Sequence, residues 1–280
     1  MKYYLDTEFL EGKQDKQFLG IKYGETKPTI DLISIGIVCE DGREYYAISK
    51  DFNLYEAWNR HEDKIEIMSG DTRNFFPEGR KYKEYWIREN VLKPIFYELV
   101  TKYALLEDKA IQLRSTSGYN PPYKFDYKTL KKLISLFGKT NQEIAEEIKS
   151  FCEKTKFEES EDGRYIMGTD ISNATKKGNI VWDKPNFYAY YADYDWVVFC
   201  QLFGNMMNLP KGFPMFCFDL KQTLNEKVSV FCAKEIQDTS FEGAVKRIKM
   251  HKDYPKQTNE HNALADAEWN QKLHKFLNNI

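Results

Sequence analysis

Short apolar runs characterise the first part of the chain. Lys2–Phe9 is brief and β-rich, and Asp31–Cys39 is a continuous apolar run with many β-branched residues, so both are predicted to be strands. An Asp-Gly turn at Asp41–Gly42 separates the second strand from Arg43–Ser49, which indicates an antiparallel hairpin. The segment Gly20–Thr29 is expected to be a surface excursion between the first two strands.

Helical spacing of apolar residues follows further along the chain. Between Trp86 and Leu99 the apolar positions recur at helix spacing, although Pro94 is expected to kink or divide that segment. A capping-box pattern at Thr140–Glu143 precedes a second apolar stripe. This order of elements predicts an α/β fold in which helices flank a mixed sheet. The remaining predicted elements are a strand at Phe187–Ala192, a helix at Asp195–Phe203, a strand at Pro214–Leu220 and an amphipathic helix at Asn262–Leu277.

Length and composition narrow the classes of protein. The chain has 280 residues, of which 42% are hydrophobic and 30% charged, and this excludes a disordered tail or a collagen-like fibre. A chain of this length can bury a large core without disulfides. We expect one domain spanning residues 1–280. Polar, turn-rich stretches interrupt its pattern and predict irregular insertions at about 54–82, 102–139 and 154–184.

The cysteines and the apolar runs bear on where the protein works. Five cysteines with no CxxC pair favour neither a disulfide framework nor a zinc ribbon. The residues after Met1 contain no apolar signal segment, and no run approaches the roughly 18 apolar residues of a membrane span. We therefore expect a cytoplasmic protein without a membrane partner. The formal net charge of -2 means that any nucleic-acid surface must be local.

The first strand carries two acids. Side chains alternate along a strand, so Asp6 and Glu8 point to the same face. Two acids on one face of an apolar strand repel each other and lose hydration, and a divalent cation removes that penalty. The alternative is an exposed edge strand with two solvated acids, because a pattern of three residues is not specific.

Two further segments carry acids at the starts of predicted helices. Tyr191–Asp195 ends a strand and opens a helix, where helix capping is the alternative reading. Near the C-terminus, His261 and Asp266 lie five residues apart, which on a helix is a divergence of about 140° at ~100° per residue. The two side chains can therefore converge only if His261 precedes the helix, with Asn262 as its N-cap. A helix start with a solvated His and Asp is the alternative there.

These three motifs, taken in order, resemble those of the DEDDh superfamily of 3′-to-5′ exonucleases. More closely, the chain resembles the RNase AS family of polyadenylate-specific exoribonucleases. The resemblance implies a ribonuclease H-like fold and a homodimer. Family proteins are shorter, so the insertions are additional, and the family pattern selects Asp195 after Tyr194 rather than Asp193. About half of the chain matches, in the segments Tyr3–Phe9, Leu32–Ser49, Trp86–Ile95, Ile144–Cys152, Tyr188–Gly204, Pro214–Gln222 and His261–Leu277.

The resemblance also implies a two-metal hydrolysis of phosphodiesters with Mg²⁺, or alternatively Mn²⁺. By analogy Asp6 bridges both ions, while Glu8, Asp195 and Asp266 complete the ligand shells. His261 would take the proton from the attacking water, so His261 and Glu8 are the candidate catalytic residues. The expected product is a nucleoside 5′-monophosphate released from single-stranded RNA. A 3′-to-5′ exodeoxyribonuclease and a nucleic-acid-binding module without hydrolysis are the alternatives.

Residues near these acids are candidates for binding the substrate. Phe9 and Leu10 are expected to stack on a base, with core packing as the alternative. Lys246, Arg247 and Lys249 begin a basic stretch that runs to Lys256 and precedes His261, and they are expected to hold phosphates. A solvated surface is the alternative for this stretch. A second basic stretch with interleaved aromatic residues, 109–139, is a further candidate for binding a single strand or a second subunit.

Overall fold

A five-stranded mixed sheet forms the centre of the protein. The computed structural model describes residues 1–19, 21–66, 80–106, 123–152, 184–234 and 240–280. The strands are β1 (Lys2–Gly12), β2 (Asp15–Phe18), β3 (Ile21–Glu25), β4 (Thr29–Cys39), β5 (Glu44–Ile48), β6 (Glu62–Glu66), β7 (Arg80–Glu84), β8 (Asn186–Ala189) and β9 (Phe218–Asp219). The central sheet has the order β5-β4-β1-β8-β9, in which β4 is antiparallel to β1 and β5, while β8 is parallel to β1 and β9.

Helices flank this sheet and confirm the predicted α/β class. The arrangement of a mixed sheet between helices agrees with the expected ribonuclease H-like fold. Among the described residues, no helix combines the length and the apolar character that crossing a membrane requires. The helices are α1 (Leu54–Asn59), α2 (Lys93–Leu106), α3 (Tyr127–Phe137), α4 (Asn141–Cys152), α5 (Ala192–Leu202), α6 (Leu220–Lys234), α7 (Phe241–Lys249) and α8 (Ala263–Leu277).

Strand β1 separates two layers of the core. Tyr3 and Leu5 are buried in the cluster that includes residues of α4 and α5. Tyr4 points the other way and is buried with a residue of α8. Because side chains alternate along a strand, Asp6 and Glu8 follow Tyr4 on the side of α8. The sheet therefore presents its two acids to the last helix of the chain.

Several local predictions need correction. The surface excursion expected at Gly20–Thr29 is present, since 21–29 is largely exposed between β1 and β4, but it is not irregular throughout, because β3 pairs there with β2. The stretch 102–139 is not simply irregular, because α3 lies in it and buries Leu130, Leu133 and Ile134. Likewise, 54–66 forms α1 and β6. The remainder of the three expected insertions, at 67–79, 107–122 and 153–183, lies outside the described residues.

Pro94 does not divide its helical segment. A π-helical turn, Arg88–Leu92, runs directly into α2, and Pro94 is the second residue of that helix. The residues before Pro94 are already helical, so the proline lies inside a continuous helical segment, directly after a turn whose hydrogen bonds follow the wider π pattern. The capping box at Thr140–Glu143 is confirmed, since each residue's N–H donates to the other's side chain at 2.6 and 3.1 Å.

The start of α8 lies unusually close to the sheet. Gly36 of β4 pairs with Asp6 of β1, and a Cβ atom on Gly36 would lie 2.3 Å from the carbonyl oxygen of Ala263 and 2.4 Å from the Cα atom of Leu264. Such separations are far below van der Waals contact, so only glycine admits the helix at this point. The position of α8 over β1 therefore depends on Gly36.

We expect Gly36→Ala to destabilise the fold, because either α8 or β4 must shift to admit the new methyl group. The free energy of unfolding, measured by urea denaturation, should fall by about 1–3 kcal/mol or more. Gly24→Ala is the control, since a Cβ atom there meets nothing within 4 Å, and its effect should stay within about 1 kcal/mol. Equal stabilities of the two variants would contradict this account.

Candidate active site

The site lies where β8 separates from β1. The two strands pair only over Lys2–Tyr4 of β1, and side chains take over as partners of the β1 backbone beyond that point. The carbonyl oxygen of Leu5 accepts a hydrogen bond from Asn270 Nδ2 at 3.0 Å, and the Thr7 N–H donates to Asp195 Oδ1 at 2.9 Å. An opening beyond the carboxyl ends of parallel strands is a common location for ligand sites in α/β sheets.

Acids from both ends of the chain meet in this opening. Oxygens of Asp6, Glu8 and Asp266 all lie within 4.8 Å of one another, close enough to hold one metal ion. Asp195 lies beside them, where its Oδ1 atom accepts hydrogen bonds from the Thr7 N–H at 2.9 Å and the Thr7 hydroxyl at 2.6 Å. The structure thus places all four predicted metal ligands around the same short segment of β1.

His261 also lies at this cluster, in the local geometry predicted from the sequence. It precedes α8 with a left-handed φ of 67°, and Asn262 is the N-cap, accepting a hydrogen bond from the Ala265 N–H at 3.1 Å. The His261 N–H donates to Asp266 Oδ2 at 2.9 Å. Its imidazole Nδ1 lies 3.9 Å from Glu8 Oε1. The imidazole and four carboxylates therefore form one group.

The charges of these acids are poorly compensated. Burial, followed by the charges of Asp195, Glu8 and Asp266, raises the pKa of Asp6 well above its ordinary value. Burial and the charges of Asp266 and Asp195 raise the pKa of Glu8 to about 8. Burial outweighs the hydrogen bonds from Thr7 and raises the pKa of Asp195 to about 7.

A divalent cation fits this environment. Burial also raises the pKa of Asp266, although Gln257, the His261 N–H and the His261 charge oppose the shift. Among the described residues, none of the leading influences on the pKa values of the four acids is a lysine or an arginine. Closely spaced carboxylate oxygens without a cationic side chain suit Mg²⁺ or Mn²⁺, which prefer oxygen ligands.

Other acids considered in the second motif lie elsewhere. Asp193 is exposed, whereas Asp195 is buried, in agreement with the choice of Asp195. Asp219 is structural: its carboxylate accepts hydrogen bonds from the N–H of Ala192 at 3.2 Å and of Lys221 at 2.6 Å. It thereby joins the first residues of α5 and α6.

The structure corrects one substrate-binding prediction. Leu10 cannot stack on a base here, because it is 0% exposed in the core cluster formed with α2 and α3. The register of the β1–β4 pair shifts between Glu8 and Phe9, with the extra residue, Ile33, on β4, so Leu10 keeps the face of β1 that carries Glu8. The helices α2 and α3 cover that face at Leu10. Phe9 is half-buried and stacks on the exposed Tyr194, with ring centroids 5.6 Å apart.

The basic residues Lys246, Arg247 and Lys249 are exposed on the last turn of α7. The basic stretch thus begins in a helix, on which Ala244 and Ile248 are buried. Their role in binding phosphates stays a prediction. The basic stretch 109–139 falls largely outside the described residues, apart from 123–139.

Sequence reasoning missed the residues that orient the acids. Gln257 Nε2 donates to Asp266 Oδ1 at 2.6 Å, and Thr7 and Asn270 make the contacts given above. Thr7 lies between Asp6 and Glu8 in the sequence, so its place in the motif could have indicated that it contacts the acids. Gln257 carries no such signal, because it lies in a polar loop nine residues before its partner.

Comparisons with known proteins support a relation to exoribonucleases. The chain is 24% identical over 227 residues to a 3′-5′ exoribonuclease of Mycobacterium tuberculosis strain CDC 1551 / Oshkosh, and the alignment covers 81% of this chain and 76% of the relative. A 3′-5′ exoribonuclease of strain ATCC 25618 / H37Rv matches with the same identity and coverage. No protein-family model matches the chain. The similarity is low in identity but extends over most of both proteins.

We expect the metal-free protein to lose stability as Glu8 ionises. Because folding raises the pKa of Glu8 from 4.5 to about 8, its favourable contribution is complete below pH 4.5 and disappears as the pH rises through about 8. In a chelator, Glu8→Gln should therefore become increasingly more stable than the wild type over this range.

The measurement is urea denaturation near pH 5 and near pH 8, with Glu44→Gln as the control because Glu44 is exposed on β5. Saturating Mg²⁺ should remove most of the difference between wild type and Glu8→Gln. If the free energies of unfolding of the wild type and Glu8→Gln changed in parallel with pH in the presence of a chelator, ionisation of Glu8 would not destabilise the fold.

Proposed function

We propose that the protein is a metal-dependent 3′-to-5′ exoribonuclease that degrades single-stranded RNA to nucleoside 5′-monophosphates. The observation that carries the proposal is the meeting of Asp6, Glu8 and Asp266 within 4.8 Å, with Asp195 and His261 beside them. The similarity to two 3′-5′ exoribonucleases supports the choice of reaction.

Asp6, Glu8, Asp195 and Asp266 would hold Mg²⁺ or Mn²⁺, as two ions. When bound, such ions lower the pKa of a coordinated water and stabilise the charge that develops on the phosphate. Glu8 and Asp266 offer further oxygens. Asp195 offers its Oδ2 atom, because its Oδ1 atom is already occupied by Thr7.

His261 would act as the general base. Its side chain is 38% exposed, so water can reach the imidazole, and it lies beside the buried carboxylate of Glu8. Histidine is the side chain that most often transfers protons in general acid–base catalysis, which suits proton transfer from a nucleophilic water. The Asp266 carboxylate fixes the backbone of His261 and thereby couples the base to a metal ligand.

Phe9 and the cationic turn of α7 are the candidate substrate contacts. Phe9 lies next to Glu8 and stacks on Tyr194, so a terminal base can extend this pair of rings. Lys246, Arg247 and Lys249 would hold phosphates further along the strand. The resemblance to polyadenylate-specific enzymes adds a preference for adenylate-rich 3′ tails and a homodimer to the proposal.

Hydrolysis of labelled oligonucleotides tests the proposal. With Mg²⁺, we expect oligoadenylate to be shortened from its 3′ end with release of mononucleotides, oligouridylate more slowly, and oligodeoxyadenylate least. Asp6→Asn should reduce hydrolysis to background because it removes one of the three clustered carboxylates that would hold the ions. Asp193→Asn should retain activity, because that acid is exposed and is not among the clustered carboxylates.

The alternatives give different results in the same assay. Faster degradation of oligodeoxyadenylate would indicate a deoxyribonuclease. Binding of oligoadenylate without any hydrolysis, in Mg²⁺ and in Mn²⁺, would indicate a nucleic-acid-binding module. Full activity of Asp6→Asn would exclude the proposed metal site.

We expect Thr7→Val to lower activity while preserving the fold. Valine has nearly the shape of threonine but cannot donate the 2.6 Å hydrogen bond to Asp195, so this carboxylate loses one of its two anchors. A hydrogen bond to a charged group contributes about 1.5–3 kcal/mol, which corresponds to a loss of about tenfold or more in kcat/KM. Thr7→Ser keeps the hydroxyl and should stay close to wild type. Equal activity of both variants would remove Thr7 from this role.

A further inference from the structure

An exposed tryptophan packs against the candidate general base. The ring centroids of Trp86 and His261 lie 4.7 Å apart, and the rings are inclined by 75°, as in an edge-to-face pair. Trp86 is nevertheless 43% exposed, whereas tryptophan is highly buried on average. Packing of the core therefore does not account for its position.

The backbone of His261 is fixed, but its imidazole is not. Three hydrogen bonds define this turn: His261 N–H to Asp266 Oδ2, Asn262 N–H to the carbonyl oxygen of Asn259, and Ala265 N–H to Asn262 Oδ1. Within the described part of the chain no group is hydrogen-bonded to the imidazole, and Glu8 Oε1 lies 3.9 Å away, beyond hydrogen-bonding distance. Among the described residues, the contacts that can orient the ring are therefore its ion-pair neighbour Glu8 and the packing of Trp86.

Trp86 is itself held firmly. Its carbonyl oxygen accepts a hydrogen bond from Asn90 Nδ2 at 3.0 Å. The neighbouring Tyr85 ring lies 3.7 Å from the guanidinium of Arg88, and this guanidinium also lies 5.4 Å from the Trp58 ring. The π-helical turn begins at Arg88, and such turns occur frequently at functional sites. A rigid turn thus presents the indole to the imidazole.

We propose that Trp86 is a positioning residue that holds the His261 imidazole in the orientation needed to accept a proton. The inference rests on the proposed function, because it assigns Trp86 a role through the candidate base. Trp86 acts by packing alone: Glu8 borders the imidazole as well, and the indole restricts rotation of the ring away from the acids. Removing it leaves the metal ligands and the His261 backbone unchanged.

The test compares Trp86→Leu and Trp86→Phe with Tyr97→Leu. Tyr97 is a suitable control because it is also 43% exposed, lies on the adjoining helix α2 and packs on Phe96 rather than on His261. The first readout is the set of imidazole signals in ¹H–¹³C spectra, which are few because the chain has four histidines. The spectrum of His261→Gln identifies the two ring C–H signals of His261. The second is hydrolysis of oligoadenylate in Mg²⁺.

In Trp86→Leu we expect the His261 imidazole signals to shift through loss of the indole ring current, while those of His251 and His274 remain. We expect kcat to fall by about tenfold, a part of what a general base contributes, and KM to change by less than about twofold. Trp86→Phe should keep most of the activity, since an aromatic ring remains, and Tyr97→Leu should match wild type in both readouts.

Two results would overturn the proposal. Unchanged His261 signals in Trp86→Leu would show that the indole does not hold the imidazole. A raised KM with unchanged kcat would show that Trp86 contacts the substrate instead. Failure of the proposed function is distinguishable, because wild-type protein would then hydrolyse nothing. That result would also end the catalytic role of Trp86, while the imidazole signals would still report on the contact.

Discussion

Helix α8 can begin over the central strands because Gly36 has no side chain, and the site depends on this approach. Gly36 pairs with Asp6, so the same level of the sheet carries one acid and admits the helix that carries another. Asn270 then fixes the helix along β1 through the carbonyl oxygen of Leu5. Packing of the main chain thus brings together carboxylates that would otherwise separate, since their charges repel each other.

The second and third motifs solve the same geometric problem in the same way. Asp195 and Asp266 are each the fourth residue of a helix, and each helix follows a residue with left-handed backbone, Tyr191 at φ 59° and His261 at φ 67°. A left-handed conformation costs a non-glycine residue about 1–2 kcal/mol. The left-handed residue turns the chain so that each helix begins at the opening, with its positively polarised N-terminal turn beside the acids. This polarity offsets part of the cost of burying negative charge.

Local patterns in the sequence sufficed for the sheet and for the first and last motifs. The spacing of two residues between Asp6 and Glu8 places both acids on one face of a strand. The spacing of five residues between His261 and Asp266 requires His261 to precede the helix. Leu10 shows where such reasoning fails, because it follows Glu8 on the same face of β1 but is covered by α2 and α3, which the motif does not indicate. Contacts such as Gln257 with Asp266 depend on the path of a polar loop, which no periodicity encodes.

The donors that orient the acids share one property: they are neutral. The hydroxyl and N–H of Thr7 hold Asp195, and the amide of Gln257 and the N–H of His261 hold Asp266. Lysine or arginine in these places would orient the carboxylates equally well but would also cancel their charge. Neutral donors fix the oxygens and leave the negative potential of the opening intact. Orientation and charge are thus controlled separately, which is what the proposed binding of divalent cations requires.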